Sequence, residues 1–120
     1  MDFDIPKMPK REQNSNKGTF GKILNIAGSK YMPGAAYLSS ISALKIGAGY
    51  VELASDENTL NIVANKACEI VLCPLEKIKN VIGDVQVISI GCGLSTDNAA
   101  VDIFNKVISL RDKQLLIIDA

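Results

Sequence analysis

Residues 22–54 read KILNIAGSKYMPGAAYLSSISALKIGAGYVELA, and this stretch decides the fold class. Residues 22–27 form an apolar run that Gly28-Ser29 stops, as expected for a buried strand ending in a turn. From about residue 34 to residue 46 the apolar residues recur at helical spacing, with Ala35, Leu38, Ile41, Ser42 and Leu44 as the expected packing face. Its small residues suit close approach to a sheet. Gly47-Ala48-Gly49 ends that helix, and residues 50–54 read as a second strand. A strand, a helix and a strand in succession make a βαβ unit, the building block of a parallel sheet.

The alternation continues to the end of the chain. Ser55 is the expected cap of a helix over residues 56–65, although Ser55 and Asn58 do not complete a capping box. A third strand over 69–73 is broken by Pro74 before a short polar helix over 75–81, and a fourth strand over 85–90 runs into Gly91-Cys92-Gly93. Ser95 or Thr96 is then placed to cap a helix over 97–109, whose apolar positions Ala100, Val101, Phe104, Val107 and Ile108 recur at helical spacing. Residues 114–119 are the fifth strand. No repeat, low-complexity tract or interdomain linker interrupts this pattern, so residues 1–120 read as part of a single α/β domain with a polar lead-in over 1–20. A parallel layout places a loop and a further helix after the last strand, and the chain therefore reads as the N-terminal portion of a longer domain.

Composition narrows the chemistry. The 120 residues carry 13 Lys+Arg against 13 Asp+Glu, with 48% hydrophobic residues, no His, no Trp, three Phe and three Tyr. Zero formal charge and few aromatic residues leave no footprint for nucleic acid. The longest strictly aliphatic run, residues 115–118, falls far short of the ~20 residues of a membrane span, and the polar lead-in is no signal peptide. Without histidine there is no Ser-His-Asp or Cys-His nucleophile system, no HExxH zinc site and no imidazole base. Cys68, Cys73 and Cys92 are odd in number, lack CxxC spacing and sit among apolar residues, so they are expected to be reduced core thiols of a cytoplasmic protein.

Strands ending in Gly28-Ser29, Gly91-Gly93 and Asp119 present their C-terminal ends at one edge, where open α/β sheets bind ligands. Gly28 to Gly34 (GSKYMPG) is a strand-to-helix turn followed by a helix N-terminus with free N–H groups for an anion, but it matches neither the Walker A pattern nor GxGxxG, so a purely structural turn stands beside the binding reading. Gly91-Cys92-Gly93-Leu94 follows a strand and leads to a helix, which lets its backbone approach a ligand. Gly47-Ala48-Gly49 precedes a strand and suits helix termination. Asp119 is placed to bind a ligand hydroxyl or a hydrated magnesium ion, or to cap the next turn. Lys17-Gly18-Thr19-Phe20-Gly21 puts a cation and two glycines near the sheet, or is a mobile lead-in.

Taken in order, Lys17-Gly18-Thr19-Phe20-Gly21, Ile26-Ala27-Gly28-Ser29, Met32-Pro33-Gly34-Ala35-Ala36, Ala43-Leu44-Lys45-Ile46-Gly47-Ala48-Gly49, Gly91-Cys92-Gly93-Leu94 and Asp119-Ala120 resemble the ATP/ADP-dependent NAD(P)H-hydrate dehydratases of the ribokinase-like superfamily. The resemblance covers essentially residues 17–120. Two positions depart from it, since the family usually has His where Asn16 stands and Pro where Cys92 stands. The family's later His-Pro-Gly-Glu, Lys-Gly and Gly-Thr-Gly-Asp segments, the last of which supplies the catalytic carboxylate, have no counterpart in these residues.

The resemblance implies a three-layer ribokinase-like fold and a cofactor-repair lyase. NADH or NADPH that has added water across a ring double bond is phosphorylated by ATP or ADP with Mg2+, and loss of phosphate restores the reduced nicotinamide. It implies that Gly34, Ala35 and Gly93 line the hydrated nucleotide, with Asn25, Ser29 and Asp119 as weaker members of the same site. It assigns no catalytic residue and no metal ligand to residues 1–120, so this chain alone is expected to be inactive. A homo-oligomer is expected for the whole protein. The alternatives are a ribokinase-like kinase for a vitamin precursor or sugar, and a non-catalytic nucleotide-binding module.

Overall fold

The structure is a computed structural model that describes residues 4–16 and 20–119. Its strands are β1 (Lys22–Ile26), β2 (Tyr50–Ser55), β3 (Val71–Pro74), β4 (Val87–Ile90) and β5 (Leu115–Ile118), and its helices are α1 (Pro33–Ile46), α2 (Glu57–Ala64), α3 (Ile78–Val81) and α4 (Asn98–Leu110). The strands form one sheet in the order β3-β2-β1-β4-β5, and every neighbouring pair is parallel. From β1 the chain steps to β2 and β3 on one side, then returns to lay β4 and β5 on the other. The direction reverses between β1 and β4, which opens a crevice above their C-terminal ends.

Side-chain alternation divides the sheet into two apolar faces. Leu24 and Ile26 of β1 and Ile88 and Ile90 of β4 pack with Ile78 of α3 and Val107 of α4. Ala27 and Leu53 pack on the opposite face with Ala36 of α1 and Leu60 and Val63 of α2. The fold is therefore three-layered, as expected. Leu24, Leu53 and Ile88 are fully buried, and each contributes on the order of 1.5–3 kcal/mol through removal of its side chain from water.

Helix starts follow side-chain chemistry, and two differ from expectation. Asp56, not Ser55, caps α2, its carboxylate accepting the Thr59 N–H at 3.0 Å. Ser55 is the last residue of β2 and is buried, and its hydroxyl donates to the Asp56 carboxylate at 3.5 Å instead of accepting a helix N–H. Asp97, not Ser95 or Thr96, caps α4 by accepting the Ala100 N–H at 2.9 Å. Gly47 ends α1 with φ 124°, its N–H reaching the Leu44 carbonyl at 3.1 Å.

Packing faces also shift. Ala36 and Ser40 are the buried positions of α1, with Tyr37, Ile41 and Leu44 packed beside them, whereas Leu38 is 61% exposed and Ser42 is exposed. On α4, Ala100 and Val107 are buried, while Val101 and Ile108 face outward. β3 begins at Val71 and Pro74 is its last residue; the segment after it is a 3-10 turn, the single α turn α3 and a second 3-10 turn. Cys73 is a core thiol, but Cys68 is exposed and Cys92 half-buried. Of the glycine-flanked lead-in motif, Lys17, Gly18 and Thr19 lie outside the described residues.

Candidate functional site at the C-terminal strand edge

The loop after β1 and the loop after β4 meet at the crevice. Gly28 donates its N–H to the Cys92 carbonyl at 2.8 Å, and Gly91 donates to the Ile26 carbonyl at 3.1 Å, so the two loops leave the sheet side by side. Gly91 and Gly93 both have positive φ, at 127° and 67°. A Cβ on Gly91 would lie 2.0 Å from the Asp119 carbonyl oxygen, and one on Gly93 would lie 2.6 Å from the Ala35 Cβ and 3.1 Å from the Met32 carbonyl. No side chain fits at either position without moving backbone. The expected residues Ala35 and Gly93 are thus in direct apposition.

Gly34 stands beside them at the start of α1, exposed, with open space where a side chain would be. Unlike α2 and α4, α1 begins without a side-chain cap; it has Pro33 in its first turn and, like α4, no acidic residue there. Its first N–H groups and the positive end of its dipole are therefore available to an anion.

Asn25 is placed differently from the other candidates. It lies within β1, opposite Leu53 and Ser89, and is 2% exposed. Its amide nitrogen donates to the Ser39 and Ser40 hydroxyls at 2.8 and 3.0 Å, while its Oδ1 is buried with no partner among the described residues. It ties β1 to α1 beneath the edge. Ser29 is half-buried; its carbonyl accepts the Met32 N–H at 3.0 Å and the Thr59 hydroxyl at 3.2 Å. Asp119 is exposed, anchored by its N–H to the Ile90 carbonyl at 2.9 Å. Burial, and then the adjacent Asp119 carboxylate, push the Cys92 thiol upward, which favours its protonated form at neutral pH.

Beside this wall lies a cavity of about 430 Å³ whose lining includes Ser29, Lys30, Asp56, Leu94 and Asp97. Burial alone would raise the Asp56 carboxyl, but hydrogen bonds from the Thr59 hydroxyl and N–H, its own backbone N–H and the Ser55 hydroxyl outweigh it and hold the group below the usual range. The Thr59 hydroxyl lies 2.6 Å from it. Reading the sequence missed Asp56 and Asp97. The signal available was an acidic residue directly after the second strand, where doubly wound sheets place a ribose acceptor.

Among the described residues no group of three or more acidic, Cys or His side chains is arranged to hold a metal ion. No helix among them is long and apolar enough to cross a membrane.

Comparison with known proteins adds the following. Residues 23–120 match the family described as NAD(P)H-hydrate dehydratase. The ADP-dependent (S)-NAD(P)H-hydrate dehydratase of Listeria monocytogenes is 34% identical over 116 residues, covering 93% of this chain and 42% of that protein. A bifunctional NAD(P)H-hydrate repair enzyme of Moorella thermoacetica is 32% identical over 115 residues, covering 85% of this chain and 22% of that protein. Among solved structures, a ribokinase-like superfamily protein of Enterococcus faecalis superimposes with TM-score 0.86 at 26% identity over 91% of this chain and 40% of its own. The ADP/ATP-dependent NAD(P)H-hydrate dehydratase of Bacillus subtilis, co-crystallised with ATP and Mg2+, superimposes with TM-score 0.79 at 28% identity over 93% of this chain and 41% of its own. The fold is ribokinase-like. The chain spans about two fifths of the length of the single-function relatives and about a fifth of the bifunctional one.

Proposed function

This chain belongs to the NAD(P)H-hydrate dehydratase family, and we propose that it supplies the substrate side of a cofactor-repair lyase that returns hydrated NADH and NADPH to their reduced forms. The observation that carries this reading is the contact of Gly93 with Ala35 and Met32 beside the uncapped start of α1. The glycine turn brings backbone to the surface beside the small Ala35, where a flat ring can lie against it, and free helix N–H groups suit the phosphates attached to such a ring. Gly34, Ala35 and Gly93 line the ring, Ser29 and Asp119 border it, and Asn25 holds β1 and α1 in register beneath it.

The chemistry is phosphorylation of the ring hydroxyl by ATP or ADP, followed by loss of phosphate. Such a reaction needs the hydroxyl held in line with the donor phosphate and positive groups where charge develops. Among the described residues no three acidic, Cys or His side chains converge on one metal position, and Mg2+ is assigned to the phosphates of the bound nucleotide. We assign this chain binding without turnover, and assign the whole protein to the cytoplasm as a homo-oligomer.

The test is a chimera in which this chain replaces the matching segment of the Listeria relative. With hydrated NADH, ADP or ATP, and Mg2+, a folded chimera is expected to restore reduced-nicotinamide absorbance while this chain alone does not. A folded chimera that gives no more recovery than an enzyme-free control contradicts the assignment. Accumulation of a stable phosphorylated product would make the protein a ribokinase-like kinase instead.

A further inference from the structure

The cavity beside the Gly93 wall has a lining that a nicotinamide site does not require. It opens at the switch point between β1 and β4, and its lining combines the apolar Leu75, Leu94 and Ile103 with the acidic Asp56 and Asp97. At about 430 Å³ it lies within the size range of small-molecule pockets and has room for a nucleoside. Asp56 directly follows β2, the position from which an acidic residue accepts ribose hydroxyls in sheets of this strand order. The Asp97 Oδ1 is used by the Ala100 N–H, and its Oδ2 accepts no hydrogen bond among the described residues. Lys30 borders the cavity on the loop that leads to the α1 N-terminus, where a pyrophosphate joining the two halves of a dinucleotide would pass.

We propose that this cavity receives the adenosine half of the dinucleotide, with the ribose hydroxyls donating to Asp56 and Asp97, and that the two carboxylates make the chain select hydrated NADH over hydrated NADPH. This rests on the dehydratase reading above. A flat base fits against the aliphatic side chains, and hydroxyl donors suit ionised carboxylates. A 2′-phosphate would bring a second anion against both of them. At partly solvated separations such repulsion weakens binding by about tenfold or more.

The probes are ADP-ribose, its 2′-phosphate and hydrated reduced nicotinamide mononucleotide, each titrated calorimetrically into the 120-residue chain. ADP-ribose is expected to bind at least about tenfold more tightly than its 2′-phosphate. In the double variant Asp56→Asn/Asp97→Asn, which keeps side-chain caps on both helices because Asn caps as well as Asp, the ratio is expected to fall to about threefold or less. Ala99→Trp, at an exposed position lining the cavity, is expected to weaken ADP-ribose by at least about tenfold. Equal affinities in the unaltered chain, a ratio unmoved in the double variant, or no effect of Ala99→Trp overturns the proposal. If the hydrated mononucleotide binds and ADP-ribose does not, the cavity assignment falls and the dehydratase reading stands. If ADP-ribose binds with the expected selectivity and the mononucleotide does not, the adenosine cavity stands and the nicotinamide wall falls.

Discussion

Replacing Gly93 by Ala tests whether the wall is as tightly closed as its geometry states. The residue has φ 67°, and an alanine held there costs about 1–2 kcal/mol relative to glycine. Its Cβ would meet the Ala35 Cβ at 2.6 Å and the Met32 carbonyl at 3.1 Å, against about 3.5–4.0 Å for a relaxed carbon contact. Both neighbours belong to the backbone or its first side-chain atom at the start of α1, so neither swings away. Overpacking of this kind costs about 1–3 kcal/mol, giving about 2–5 kcal/mol in all. Urea unfolding of Gly93→Ala should show that loss. Adding Ala35→Gly removes the shortest contact and should restore about 1 kcal/mol or more, net of the price of a glycine in the helix. Gly34→Ala, one residue away with open space around its Cβ, should be neutral or stabilising by up to about 1 kcal/mol. A Gly93→Ala protein within about 0.5 kcal/mol of the unaltered chain, or a double variant no better than the single, refutes this account of the wall.

Three further outcomes are expected. Because the Asp56 carboxyl is held below its ordinary range in the folded chain, its contribution is complete above the unfolded-state value and is lost as pH falls through the folded one; Asp56→Asn should flatten the acid limb of a Tm-against-pH curve, and an unchanged limb counts against it. Asn25→Ala removes the donor to buried Ser40 along with an unpartnered acceptor, and should lose about 1–3 kcal/mol by chemical denaturation. Leu115 and Ile117 are 70% and 58% exposed on the outer strand of the sheet, so the chain should self-associate with concentration in sedimentation runs, and Leu115→Lys/Ile117→Lys should suppress this; a monodisperse monomer of the unaltered chain contradicts it.

The parts of this fold legible in the sequence are those that depend on local pattern. Apolar runs bounded by glycine, proline or charged residues placed all five strands in order, and the glycines after β1 and β4 pointed to the candidate edge. What escaped depends on neighbours. Apolar residues run around much of α1, so periodicity could not choose between Leu38 and Ala36 as the residue meeting the sheet. Ser55 and Asp56 are both good caps by type, and only the pleat of β2, which buries Ser55, leaves Asp56 to cap α2. Ser95 adopts φ 79°, an unusual backbone for a serine, and the chain reaches Asp97 before α4 starts. Asn25 looks polar enough to serve a ligand, yet its strand position turns it under α1. The cavity was invisible because its residues come from separate segments that meet only through the strand order.

The central claim is that hydrated dinucleotide binds along the C-terminal strand edge of this chain. Amide chemical shifts of the isotopically labelled chain, followed during titration with hydrated NADH, test it directly. Perturbations should concentrate in residues 28–35, at Asp56 and in residues 91–97, and should saturate together with a single affinity. Saturable shifts confined to the opposite end of the sheet, around Gly21, Tyr50 and Gln86, or no saturable shift at all, would contradict the account.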